Sequence, residues 1–325
     1  MPMTPKRRKK KFLKKIKHTF FYPLFFALVM GLRLILSIMP EKWVFFIMEH
    51  LAHIVFICAR KERSKTLHNL RTAFHNEYSE AQIRRLAQQV FVNLGRNLAE
   101  ICIWNRFTTE ELKKRVAFNN LHYCYDLAEK KTYGIVIAAH CGNWELLPKA
   151  LGAQNLSATL IARELRFKWL DRFFVRLRES PGYTVLYRAN ASRESMRQLK
   201  KRSNFLAILP DQDIKTIEGI FVDFFGKRAY TPTSPVKLAL AANVPLVPIM
   251  FNRDDDNKFH HTVTVYPPIY LEGNKNDSDT IKKYTQMWST IIESHIRKHP
   301  SQWVWMHNRW KTTPEKIVSE KGTAQ

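Results

Sequence analysis

His140 and Glu145 are the residues whose types and setting point first to chemistry. They stand in YGIVIAAHCGNWELLPKA, where an apolar strand runs into His140 and Cys141-Gly142-Asn143 make a turn. A helix is expected from about Trp144, with Asn143 as its N-cap. A separation of five does not align two side chains on one regular helix. Across a strand–turn–helix corner it can set the Glu145 carboxylate beside the His140 imidazole. That pairing would fix the tautomer, stabilise the imidazolium and leave the second nitrogen to take a proton from a hydroxyl. An imidazole pKa near neutrality suits the task, and the first amides of a helix can meet developing negative charge. A bare H-x4-E pattern is common by chance, and a hydrogen-bonded structural histidine is the plain alternative. The position at a strand's carboxyl end speaks for chemistry, because α/β sheets bind ligands there. Cys141 as a nucleophile is the competing reading of the same turn.

Further candidates lie at other strand ends. Arg163 follows a strand and Arg178 lies near the end of a helix. Either could bind phosphate or a thioester oxygen through charge-assisted hydrogen bonds, or be a solvated surface arginine. Asp211-Gln212-Asp213 follow the apolar run FLAIL. Asp211 and Gln212 are expected to line the site; a turn cap and a D-x-D metal pattern are the alternatives. Arg309 is a candidate phosphate contact. Phe224-Phe225-Gly226 reads as an acyl-channel lining or as core, and Trp303, Trp305 and Trp310 read as packing. HExxH, P-loop and GxSxG signatures do not occur, so no metal and no cofactor are expected. Cys58, Cys102, Cys124 and Cys141 have neither zinc-ligand nor CxxC spacing, which fits a reducing compartment. Cys58 and Cys102 read as core.

The elements that must position these residues alternate. Strands are expected at Gly134–Ala139, Ser157–Ala162, Thr184–Tyr187, Phe205–Leu209, Leu246–Phe251 and Thr262–Val265. Helices are expected at Glu145–Leu151, Phe167–Glu179, Ser192–Arg202, Pro235–Ala242 and Thr280–His299. Such alternation predicts an α/β fold, a mixed and mostly parallel sheet flanked by helices. Upstream, Ser79 and Gln82 have capping-box spacing. Ile83, Leu86, Val90, Leu94 and Leu98 then mark one apolar face of a long helix.

The amino terminus reads differently. Its first 17 residues hold nine lysines or arginines and no acid, and an apolar stretch at 20–39 follows. After Pro40 comes a second, amphipathic stretch at 43–58 containing Glu49, His50 and His53, then Arg60, Lys61, Arg63 and Lys65. Residues 1–65 are therefore expected to form a basic terminus and a hydrophobic helical membrane anchor. Whether the anchor spans the bilayer or lies in it stays open. Residues 66–315 would form the catalytic domain and 316–325 a polar tail. The formal net charge of +25 calls for a polyanionic partner. A nucleic-acid-binding protein is one rival reading, but no nucleic-acid-binding motif accompanies the charge, and none is expected as a partner. The basic cluster instead precedes an apolar stretch, as at an anionic membrane surface.

Several motifs in order make the chain similar to the bacterial lipid A late acyltransferases, the lauroyl- and myristoyl-transfer family. They are HCGNWE at 140–145, ARELRFKWLD at 162–171, LPDQD at 209–213, VDFFGKRAYTPTSPVKLA at 222–239, PLVPI at 245–249 and PSQWVWMHNRW at 300–310. The resemblance spans about Asn69 to Lys311 and implies a glycerolipid-acyltransferase-like fold. It implies acyl carrier protein as donor, a hydroxyl of a phosphorylated glycolipid (a lipid A precursor) as acceptor, and a place at the cytoplasmic face of the bacterial inner membrane. It makes His140 and Glu145 the catalytic pair. Related families more often have aspartate where this chain has Glu145. Another glycolipid or phospholipid acceptor remains the alternative.

Overall fold

All six apolar runs read as strands are strands. The computed structural model describes residues 22–179, 182–188, 191–214 and 216–315. The basic cluster at 6–17, the start of the apolar stretch and the tail at 316–325 lie outside the described residues.

The chain opens with α1 (Tyr22–Ile38), α2 (Glu41–Cys58), α3 (Arg60–Ala73) and α4 (Glu80–Cys102). Next come α5 (Thr109–Arg115), β1 (Val116–Asn119), α6 (His122–Glu129), β2 (Ile135–Ile137) and α7 (Leu147–Gly152). The middle holds β3 (Ala158–Ala162), α8 (Lys168–Arg178), β4 (Tyr183–Tyr187), α9 (Ala191–Lys201) and β5 (Phe205–Ile208). A hairpin of β6 (Gly219–Phe224) and β7 (Lys227–Pro232) precedes α10 (Ser234–Ala242), β8 (Leu246–Arg253), β9 (His261–Val265) and α11 (Ser278–Lys298).

Seven strands form one sheet in the order β1-β9-β8-β2-β5-β3-β4. Every neighbouring pair is parallel except β8 with β9. A parallel sheet covered on both faces needs near-continuous apolar strands, and every residue of β8 is buried. Alternation along β2 separates two cores. Val136 and Ala138 face one, whereas Ile135, Ile137 and Ala139 face the other.

The capping box of Ser79 and Gln82 forms at the start of α4. Its apolar face departs from the expected stripe: Ile83, Leu86 and Val90 are buried, but Leu98 is 50% exposed. In the last turns Asn97 and Glu100 turn inward instead. Phe225 and Gly226 join β6 to β7 with φ of 54° and 68°, the backbone of a two-residue I′ hairpin turn. A phenylalanine is unusual there. Its amide donates to Glu293 at 2.7 Å and its ring packs on Phe74 and Trp305, so this motif is core. Cys58 is exposed, contrary to the core reading, while Cys102 is buried.

Candidate active site

β2 and β5 are parallel neighbours, so the loops leaving their carboxyl ends meet. One carries His140 and the other Asp211. The His140 amide donates to Asp211 Oδ2 at 2.9 Å, and its Nδ1–H donates to Oδ1 at 2.7 Å. The Trp303 indole donates to Oδ2 at 2.8 Å. Three donors thus hold one carboxylate almost wholly removed from water, while the His140 side chain keeps 23% of its exposure. Burial pushes the Asp211 carboxyl up, but the adjacent imidazole and these bonds prevail and hold it at about 2. Burial also works against a charged His140. Asp211 first, then Glu145, outweigh it and raise the imidazole pKa above its ordinary value.

The expected His140–Glu145 hydrogen bond is therefore replaced. Glu145 instead takes two parallel bonds from Arg178, Nε to Oε2 at 2.7 Å and Nη2 to Oε1 at 2.6 Å. The reason is local: residues after Asn143 make turns and the helix begins only at Leu147, six residues long. Arg178 ends α8 and lies over Phe174. Its planar fork matches the carboxylate better than a single imidazole nitrogen can. Glu145 still acts on His140 through space.

Asn143 caps nothing. Its side chain donates to Glu100 Oε2 at 2.7 Å inside a buried cluster. Glu100 also accepts from Arg253 Nη1 and Nη2 and from His261 Nε2, each at 2.7 Å. Asn97 donates to the Gly142 carbonyl at 2.6 Å, and the Gly142 amide donates to the Gln302 carbonyl at 3.0 Å. Gly142 has φ +57°, and a Cβ there would stand 2.5 Å from the Phe251 carbonyl oxygen, so only glycine fits the turn. This cluster fixes the backbone from which His140 projects. Sequence reasoning missed it. The available signal was Asn97 and Glu100, in helical phase with Val90, and an asparagine and an arginine ending an otherwise apolar strand.

The remaining candidates divide. Asp213 accepts from the Thr312 amide and hydroxyl at 2.8 and 2.9 Å, so it anchors the carboxyl-terminal segment while its neighbour serves His140. Gln212 is half-buried between them, and Arg163 is exposed beyond β3. Arg309 is not placed to meet phosphate. It is buried, donating to the Tyr230 carbonyl and the Thr231 hydroxyl, with its guanidinium over Phe224. Burial drives its pKa down to about 10. Cys141 is fully buried, and burial pushes its thiol up to about 12, which disfavours a nucleophilic thiolate.

Beside His140, the Trp144 ring lies 5.3 Å from the imidazole and also lines a narrow apolar cavity of about 40 Å³. The cavity follows β2 and β5 from Ala138 and Leu209, near their carboxyl ends, back to Phe205 and to Ala158 at the start of β3. One end of this apolar cavity thus reaches Trp144, whose ring lies beside the histidine of the histidine–aspartate pair. This arrangement can deprotonate a hydroxyl beside a chain of methylenes. The sequence profile of the bacterial lipid A biosynthesis acyltransferases matches residues 9–312.

The chain belongs to that family. It is 29% identical over 181 residues to the phosphatidylinositol mannoside acyltransferase of Mycolicibacterium smegmatis, covering 54% of this chain and 57% of that one. It is 25% identical over 264 residues to the lipid A biosynthesis lauroyltransferase of Escherichia coli, with 80% and 82% covered. A lipid A biosynthesis acyltransferase of Haemophilus influenzae is 23% identical over 251 residues, with 76% and 75% covered. The chain spans little more than half the length of the first of these relatives. These relatives are named for different lipids, so donor and acceptor rest on the site of this chain.

Proposed function

We propose that this acyltransferase moves a fatty acyl chain from acyl carrier protein to a hydroxyl of a lipid A precursor at the cytoplasmic face of the inner membrane. The observation that carries the reading is the His140–Asp211 pair beside Trp144, which lines one end of the apolar cavity. Asp211 keeps the proton of His140 on Nδ1, so Nε2 takes the proton of the acceptor hydroxyl as its oxygen attacks the thioester carbonyl. The tetrahedral intermediate collapses, the carbon–sulfur bond breaks, and the imidazolium returns the proton to the departing thiolate. The products are an ester and a free thiol. Arg178, oriented by Glu145, supplies positive charge near the reacting oxygen or an acceptor phosphate, and Gln212, next to Asp211, and Arg163, exposed beyond β3, are further candidates to meet the acceptor. The net charge of +25 suits an acidic carrier and a phosphorylated acceptor.

The test is mass spectrometry of reactions containing purified protein, acyl carrier protein loaded with defined chains, and a lipid A precursor or a phosphatidylinositol mannoside. A single acyl mass gain on the lipid A precursor, absent with His140→Ala, is expected. Gain on the mannoside alone would move the acceptor to the second class of lipid. Ala158→Phe, which fills the far end of the cavity, should shift donor preference to shorter chains. An unchanged preference would mean that the acyl chain lies elsewhere.

A further inference from the structure

A polar cleft of about 530 Å³ opens between α2, α4 and the loop that leaves β8, and it shares no lining residue with the apolar cavity. Its volume is that of a small-molecule site. Among the described residues that line it, Val92 is the one apolar side chain. Glu49 comes from α2, Arg85 and Arg96 from α4, and Asp254 and Asp255 from the loop after β8. Gln302 lies behind them. Its side chain exchanges hydrogen bonds with the Arg253 backbone at 2.7 and 2.8 Å, and its carbonyl accepts from the Gly142 amide. The cleft thus backs onto the turn that follows His140.

The walls of the cleft carry opposite charge. On the helical wall, Glu49 Oε1 accepts from Arg96 Nε and Lys258 Nζ at 2.8 and 2.9 Å, so two cations share one carboxylate. Arg85 is exposed, and no carboxylate among the described residues pairs with it. On the loop wall, Arg253 is neutralised by Glu100. Asp254 accepts from the Thr262 hydroxyl at 2.8 Å. Asp255 stands 4.0 Å from Nδ1 of His299, an imidazole that burial drives below its ordinary pKa. Among the described residues neither aspartate has a cation hydrogen-bonded to it.

This division of charge selects the occupant. A simple phosphate would face the aspartates, and a polyamine would face the arginines. A sugar would find no phenylalanine, tyrosine or tryptophan among the lining residues to cover its ring. A compact ligand with a phosphate at one end and an ammonium at the other satisfies both walls. Arg85 and Arg96 meet the phosphate oxygens with planar forks, and Asp254 and Asp255 accept from the ammonium. We infer that the cleft is a second ligand site, built for a phosphoethanolamine group, either free or as the headgroup of a lipid.

The experiment is isothermal titration calorimetry of the full chain in a maltoside detergent, with glycerophosphoethanolamine as the probe. Saturable binding is expected, weakened at least about tenfold by Arg85→Gln and by Asp255→Asn, each of which removes a charge-assisted hydrogen bond. Both side chains are exposed, so both variants should keep the native melting temperature. Glycerol 3-phosphate and ethanolamine, each offering one of the two charges, should bind at least about tenfold more weakly than the intact probe. Absence of saturable binding would overturn the inference. So would an affinity untouched by both substitutions, or glycerol 3-phosphate bound as tightly as the probe. Phosphatidylethanolamine dissolved in the same micelles distinguishes the two sources. Competition with the probe assigns a lipid headgroup, its absence assigns a free ligand, and either upholds the site. Calorimetry needs no acyl transfer, so the result stands apart from the proposed activity.

Discussion

Among the described residues two histidine–carboxylate pairs share the same 2.7 Å bond, His140 with Asp211 and His261 with Glu100. Their imidazoles are driven in opposite directions. His140 is raised above its ordinary pKa, its partner's charge outweighing burial. His261 is lowered, because burial dominates and Arg253 adds a repelling charge beside it. Glu100 is wholly buried and held well below the usual carboxylate range by Arg253 and His261. Its charge is thus already neutralised by an arginine, and little is left to favour a second cation. Among the described residues no arginine is bonded to Asp211; its other donors are an amide and an indole. The difference teaches that a histidine–carboxylate distance does not identify a base. What matters is whether the carboxylate's charge is left for the imidazole and whether the imidazole keeps an open side.

The comparison is broken most sharply at the histidines. His140→Ala should cost about 10²–10⁴-fold in kcat/KM with an unchanged melting temperature. His261→Ala should instead lower the melting temperature and leave turnover per folded molecule within a few-fold, as read by calorimetry beside initial rates. Glu100→Ala strands Arg253 in the interior and should cost about 3–5 kcal/mol in denaturant unfolding. Asp211→Asn, by contrast, should act chiefly on catalysis. Smaller still, Glu145→Gln loosens Arg178 and removes one of the charges that raise His140. It should raise KM for the phosphorylated acceptor and move the pH midpoint slightly down, as read from initial rates across pH.

Much of the body was legible. Strand and helix positions followed from unbroken apolar runs between turns, and the motif HCGNWE marked the loop that holds His140. The partner of His140 was not legible. Five residues of sequence separation made Glu145 the near choice, whereas the sheet order that sets β5 beside β2 brings Asp211 from 71 residues away. Asp211 was expected to line the site, but its bond to the imidazole depends on strand order, which periodicity does not encode. Arg309 failed for a related reason. Arg309 reads as a phosphate contact until its segment is seen folded under the β6–β7 hairpin. The Glu100 cluster escaped because its members come from α4, the loop after β2, β8 and β9, and each is unremarkable in its own segment.

The most direct test of the central claim is the pH dependence of kcat/KM for acyl transfer in the native enzyme and in Asp211→Asn. A base must be neutral, and Asp211 raises the pKa of His140, so activity should climb with pH through a midpoint above the ordinary histidine value. Removing the carboxylate charge while keeping a hydrogen-bonding amide should lower the rate at high pH and move the midpoint down. A midpoint that stays where it was in Asp211→Asn would contradict the account, because the titrating group would then not be the imidazole that Asp211 holds.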